Sequence, residues 1–314
     1  MVSDLSASQE GGLDAIQPFQ VEGLHLSGRV VRLSEAVDRV LTQHDYPEPV
    51  SRLLGELMAL AAALGGGLKF DGRMTVETRG DGPVRLIAVD YMSNGQMRGY
   101  ASYDAERVAE AEAGGSAGGP VPRLIGNGLM ALTVDQGADT ELYQGLVSLE
   151  GATLADCAHN YFRQSEQIDT ALKLAVAHRD GSWRAGAITM QRIAELGAGD
   201  TPVLSADRED DWRKAVALLS SATGDELTDP SLATHTLLYR LFHEDGVRVY
   251  ETKDVSFGCS CSEQRAMAVL RRIPATEIDD LLIDGVVEVV CQFCNRRQVF
   301  TPEEIAMGDE GGSA

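Results

Sequence analysis

Two tight pairs of cysteines dominate the C-terminal end of the chain: Cys259-Ser260-Cys261 and Cys291-Gln292-Phe293-Cys294. Residues 262–290 separate them, a gap of 29, and the fifth cysteine, Cys157, lies far upstream. A secreted scaffold scatters an even set of cysteines through a short chain. Clustered pairs in a long chain suit metal or redox chemistry instead. Zinc prefers four tetrahedral ligands, and thiolates at about 2.3 Å suit it. A C-x-x-C turn presents two sulfurs on one side of a knuckle, and C-x-C does so in a tighter loop. No histidine falls within 256–302, so the expected ligand set is Cys259, Cys261, Cys291 and Cys294 around one Zn²⁺. Four free thiols, an iron site and permanent disulfides stay open as alternatives. A unit of fewer than about 50 residues holds together poorly by burial alone, so a metal staple would also account for its stability.

The rest of the chain limits what such a unit serves. Its 314 residues are 44% hydrophobic and 24% charged. That supports two or three folded domains and excludes disorder throughout. The net charge is −21, from 27 basic and 48 acidic side chains. A surface of that sign repels phosphate backbones and anionic lipid, so no nucleic-acid partner and no membrane are expected. The longest apolar stretch, Leu57–Leu64, is far short of the ~20 residues a bilayer needs. Met1-Val2-Ser3-Asp4 lacks the features of a secretory signal. A cytoplasmic location is the expectation.

Patterning divides the chain into three. Residues 15–196 read as an α+β domain with a large, mostly antiparallel sheet. Strand-like runs cover 16–33, 73–79, 84–91, 97–103, 129–135, 143–149, 170–177 and 183–193. The turns Gly80-Asp81-Gly82-Pro83, Asn94-Gly95 and Asp180-Gly181 are strong hairpin signals. Ser34 reads as an N-cap of a first helix, 50–64 as a second ended by Gly65-Gly66-Gly67, and 153–164 as a third. The glycine-rich stretch 111–119 reads as a loop. Character changes at Gly197-Ala198-Gly199-Asp200. Residues 197–255 read as a helical linker with amphipathic faces, Trp212, Val216 and Leu219 in one stretch and Leu232, Leu238, Tyr239 and Phe242 in the other. Each face must bury itself on a neighbour. Residues 256–304 are the small cysteine unit: a short helix after Cys261, another opened by Pro274, and a strand over 286–290. Both termini, 1–14 and 308–314, read as frayed.

Several chemistries are weighed and set aside. Cys157 falls in a helical pattern and reads as a small buried hydrophobe. His159 and Ser165 have no acidic partner that would make a hydrolase. Gly65-Gly66-Gly67-Leu68-Lys69 lacks the phosphate-loop pattern. Ser165-Glu166-Gln167 reads as structural, with a role in docking the linker or the cysteine unit.

The four-thiolate site would carry a formal charge of −2 with Zn²⁺ bound. Arg265, Arg271, Arg272, Arg296 and Arg297 flank it. They read either as cations that raise thiolate reactivity or as solvated surface charges. Close thiolate pairs have a further consequence. A sulfur oxidised to sulfenic acid can condense with its neighbour, and two disulfides would leave zinc without ligands. Metal binding in such units is folding energy, on the order of 10–16 kcal/mol in zinc-finger peptides. The layout therefore suits a switch that unfolds on oxidation.

Phe257-Gly258-Cys259-Ser260-Cys261-Ser262-Glu263 and Val290-Cys291-Gln292-Phe293-Cys294-Asn295 resemble the heat shock protein 33 family of redox-regulated bacterial chaperones. So do Arg79-Gly80-Asp81-Gly82-Pro83, Met97-Arg98-Gly99-Tyr100, Tyr143-Gln144-Gly145 and the run Tyr161–Gln167, in the family's order and over nearly the whole chain. The resemblance implies a chaperone, not an enzyme, inactive when reduced and zinc-bound. It implies disulfides Cys259–Cys261 and Cys291–Cys294 on oxidation, with loss of zinc and unfolding of the zinc unit and linker. Unfolded client proteins would then bind without ATP, the linker face being a candidate contact, and the active form would be a homodimer. Gln264 departs from the arginine frequent in the family at that place. Two other classes compete. A zinc-ribbon interaction or nucleic-acid-binding module is disfavoured by the charge and by a gap longer than the usual 15–20 residues. A thiol–disulfide oxidoreductase wants its C-x-x-C at a helix N-terminus, whereas Cys291 follows a β-rich run.

Overall fold

The computed structural model describes residues 14–115, 119–137, 142–193 and 205–306. The expected domain break at 196/197, the terminal segments 1–13 and 308–314, and part of the 111–119 loop lie outside these residues. The chain forms two compact units, Met1–Phe257 and Gly258–Ala314.

The first unit opens with strands β1 (Ala15–Val21) and β2 (Leu26–Leu33) and helices α1 (Glu35–Thr42) and α2 (Glu48–Gly65). A meander follows: β3 (Arg73–Gly80), β4 (Val84–Met92) and β5 (Gln96–Tyr103). Next come α3 (Ala105–Ala113), β6 (Gly128–Asp135), β7 (Tyr143–Ser148) and α4 (Leu154–Tyr161). The hairpin β8 (Thr170–Arg179) and β9 (Ser182–Arg192) precedes helices α5 (Ser205–Ser221), α6 (Gly224–Thr228) and α7 (Thr234–Phe242). Short strands β10 (Val247–Val249), β11 (Lys253–Asp254) and β12 (Ser256–Phe257) end the unit.

Among the described residues these strands form two sheets of six rather than one. The first has the order β10-β1-β2-β9-β8, with β11 also on β1; the second runs β12-β5-β4-β3-β6-β7. Every pairing is antiparallel except β12 on β5. The α+β class and the dominance of antiparallel strands are as expected. The Asp180-Gly181 turn has both φ values positive, 54° and 77°, as a two-residue hairpin loop requires.

The first sheet is buried on both faces, and its sequence shows why. In β2, Val31 and Leu33 join the cluster built on α2, while Leu26 and Val30 face the other way into a second cluster. Alternate side chains point to opposite faces of a strand, so Val30-Val31 serves two cores. Helix α2 supplies Leu53, Leu54, Leu57, Met58 and Leu60 to the first cluster, where it meets both sheets. Helices α5–α7 cover the opposite face of the first sheet.

Three local expectations change. Ser34 holds the N-cap position of α1, but its side chain makes no cap bond. The Asp14 carboxylate takes that role from twenty residues away, accepting from the backbone N–H of Ser34 (2.7 Å), Glu35 (2.9 Å) and Ala36 (3.1 Å). Helix α3 runs into the stretch 111–119 that reads as a loop, so 111–113 are helical. Asp104 caps it by accepting from Arg107 N–H at 3.1 Å, a signal that the glycines further on obscured. The third helix ends at Tyr161 and passes into a π-helical turn, Phe162–Glu166.

The second unit contains α8 (Glu263–Leu270), α9 (Ala275–Ile278), β13 (Leu282–Ile283), β14 (Val286–Val290), β15 (Arg297–Phe300) and α10 (Pro302–Ala306). Its three strands pair antiparallel in the order β13-β14-β15. Its buried core is small: Leu270, Ile278, Val287, Phe300 and Ile305. An Asp284-Gly285 turn with φ values of 53° and 82° joins β13 to β14.

Candidate metal centre and its surroundings

Strand β14 delivers Cys291 at its C-terminal end, and the chain turns straight back into β15. The knuckle closes by backbone bonds: Cys291 N–H donates to Arg296 O at 3.0 Å and Asn295 N–H to Cys291 O at 2.8 Å. Asn295 takes the left-handed conformation, φ 53°, which asparagine tolerates better than most residues. The other pair precedes α8. Ser262 caps that helix, its Oγ accepting from Arg265 N–H at 3.2 Å.

The fold brings all four sulfurs together. Their ligand atoms lie within 4.8 Å of one another, with Cys259 Sγ 3.8 Å from Cys291 Sγ and Cys261 Sγ 3.3 Å from Cys294 Sγ. A tetrahedron with arms of about 2.3 Å has edges of about 3.8 Å. The cluster fits a four-coordinate thiolate site. Burial first, then hydrogen bonds with Cys294 and Cys259, hold the Cys261 thiol well above its ordinary range, and burial also raises Cys294. Cys261 and Cys294 therefore resist becoming anions unless a cation joins them. A bound divalent ion reverses that preference, because ligating thiols are deprotonated.

The flanking cations differ in what they do. Arg265 reaches the C-x-C loop, Nη1 donating to Ser260 O at 2.7 Å. Arg297 is turned to Glu288 at 2.9 Å. The Arg296 carbonyl, not its side chain, serves the knuckle.

Cys157 belongs elsewhere. It is fully buried in the main core, and burial pushes its thiol up to about 11. It is an inert apolar side chain, as its helical pattern indicated. His159 is exposed and its Nδ1 meets Thr170 O at 2.9 Å. Glu166 has a structural role within the first unit. It accepts from the hydroxyls of Tyr143 (2.7 Å) and Tyr161 (2.8 Å), stapling the π-turn to β7. The glycine of Tyr143-Gln144-Gly145 completes the staple, because a Cβ there would lie 2.7 Å from the Tyr161 hydroxyl.

Of the seven amphipathic residues in 197–255, Leu219, Leu238 and Phe242 are buried against the first sheet, and Trp212, Val216 and Leu232 pack partly against it. Tyr239 does not share that face and is 63% exposed. Leu237 and Leu241 fill the inward positions of α7 instead. Leu237, Leu238, Leu241 and Phe242 follow the helical period, and Tyr239 falls on the opposite side. A set of cationic tethers from the first sheet carries no signal in the apolar period. Lys173 on β8 donates to Ser220 O (3.1 Å) and to Ala222 O, and Arg32 on β2 donates to Glu226 O (2.9 Å) and Asp229 O. An even-numbered arginine beside Val30 was the available signal.

The family model described as Hsp33 protein matches residues 14–301. The chain belongs to the Hsp33 family. Curated relatives agree. The 33 kDa chaperonin of Caulobacter vibrioides is 46% identical over 289 residues, spanning 90% of this chain and 93% of the relative. A 33 kDa chaperonin of Pseudomonas fluorescens is 38% identical over 295 residues, spanning 93% and 92%. The fold is shared with the crystal structure of the Thermotoga maritima 33 kDa chaperonin, at a TM-score of 0.76 and 23% identity, over 94% of this chain and 97% of that one. Among the described residues no helix is long and apolar enough to cross a membrane.

Proposed function

We propose that this chain is a redox-regulated, ATP-independent holdase of the cytoplasm, and not an enzyme. Its parts are a core (15–196), a helical linker (197–255) and a zinc-binding switch (256–304). The observation that carries this reading is the clustering of Cys259, Cys261, Cys291 and Cys294 within 4.8 Å in a unit whose buried core, among the described residues, is five side chains. Those four thiolates would hold one Zn²⁺, and its binding would supply the folding energy that so small a core lacks.

One hypochlorous acid takes two electrons from each thiol pair, giving one disulfide, chloride, water and a proton. The pairing is Cys259–Cys261 and Cys291–Cys294. A disulfide sulfur is no longer a thiolate ligand, so the second unit loses its staple and unfolds. The linker then leaves the first sheet. The face it uncovers carries Phe19, Val21, Leu24, Leu26, Val30, Ile188 and Met190. Each large apolar side chain is worth about 1.5–3 kcal/mol when reburied, which is the driving force for holding an unfolded client. The same exposed surface would favour a homodimer. The linker residues Trp212, Val216, Leu219, Leu232, Leu238, Tyr239 and Phe242 become available to clients in the same step.

Substitution tests this directly. Cys259→Ser and Cys291→Ser each remove a ligand and a disulfide partner. Both variants are expected to bind zinc at least tenfold more weakly and to lose the sharp gain in anti-aggregation activity on oxidation. An oxidant response identical to wild type in both would overturn the reading.

A further inference from the structure

We propose that Arg265 is a positioning residue for the four-sulfur site, tying the loop that carries Cys259 and Cys261 to helix α8. The inference rests on the zinc reading above. The two halves of the site are closed differently. The Cys291–Arg296 knuckle closes on itself through two backbone bonds, of 3.0 and 2.8 Å. The C-x-C loop is tied to helix α8 by a side chain, that of Arg265. Its backbone N–H donates to Ser262 Oγ at 3.2 Å, and its guanidinium turns back to donate to Ser260 O at 2.7 Å. One residue therefore grips the loop on both sides of Cys261. The Ser260 carbonyl lies between the two sulfur-bearing residues, so its orientation fixes how their side chains converge. Arginine suits the task because its donors are rigid and always charged. Among the described residues, the side chains of Arg271, Arg272 and Arg296 make no such contact.

The test uses full-length, reduced, zinc-loaded protein as wild type, Arg265→Gln, Arg265→Lys and Arg272→Gln. The last makes the same change in charge nearby without touching the loop. Two quantities are read: the rate of zinc transfer to a chelating dye, and the thiolate-to-metal absorption of the Co²⁺-substituted protein. Outer-shell partners of metal ligands typically contribute 10–100-fold in affinity. For this exposed arginine the expectation is the lower end: Arg265→Gln releases zinc about tenfold faster, with altered Co²⁺ bands, while Arg272→Gln matches wild type. Equal rates and spectra in Arg265→Gln and Arg272→Gln would overturn the proposal. If Arg265→Gln takes up no metal, Arg265→Lys is compared with Arg272→Gln: faster release supports the tie, and equal release overturns it. Wild-type protein that holds no zinc would overturn the metal reading itself.

Discussion

Glu56 shows how one buried group sets a pH dependence. Its Oε2 is sealed from solvent without a hydrogen-bond partner, and burial raises its pKa to about 7 from an ordinary 4.5 despite nearby Arg52. The native state keeps this proton up to about pH 7, while the unfolded chain sheds it near 4.5. Between those values the native state binds more protons, so stability falls as pH rises. Glu56→Gln removes that linkage. Thermal unfolding should show a flatter profile from pH 5 to 8 and a gain of about 1–2 kcal/mol at pH 8, less than the full shift because the amide also needs partners. A profile that keeps the wild-type slope would contradict the assignment. Asp14 is a second carboxylate whose pKa is raised by burial, as that of Glu56 is, but it holds three backbone donors. Asp14→Ala should cost about 1 kcal/mol, read as a lower denaturation midpoint with an unchanged denaturant slope. At this scale the four cysteines were fully legible, because metal spacing is a local code. Asp14 was not: its partners begin twenty residues away, and only the fold joins them.

Among elements, the docking of α5–α7 on the first sheet matters most for the proposed switch. The apolar period marked these helices as amphipathic, and it placed six of seven residues on the packed side. Tyr239 was misplaced because a run of Leu237, Leu238, Tyr239, Leu241 and Phe242 offers more apolar residues than one face can hold. The tethers were invisible for another reason. Lys173 and Arg32 donate to carbonyls, and any residue supplies a carbonyl. Ser220 and Ala222 lie at the C-terminal end of α5, where the helix dipole favours a cation. Lys173→Met should therefore loosen the linker by about 1 kcal/mol. Hydrogen exchange should quicken across 208–242 and stay unchanged in β4, and anti-aggregation activity should appear at lower oxidant. Uniform exchange across the unit would rule out a local tether. Strand pairing was largely legible, since Asn-Gly and Asp-Gly turns separate alternating runs. The division into two sheets was not, because alternation along a strand does not say which strands lie side by side.

For the whole molecule, the charge of −21 also bears on the proposed exposure of an apolar face. A protein that uncovers an apolar face risks associating with itself, and mutual repulsion keeps such surfaces dispersed. In the proposed switch the acidic balance and the concealed face would serve together, with the zinc unit setting when that face is free. The family resemblance in the cysteine motifs gave the function class directly. Among the other shared motifs, Gly80 is a packing device, because a Cβ there would lie 2.1 Å from Ile125 O. The most direct test follows zinc content of the reduced protein before and after hypochlorite, with aggregation of a heat-unfolded client measured in parallel. The account predicts one zinc per chain, lost on oxidation as anti-aggregation activity appears. Zinc retained through oxidation, or lost with no gain in activity, would contradict it.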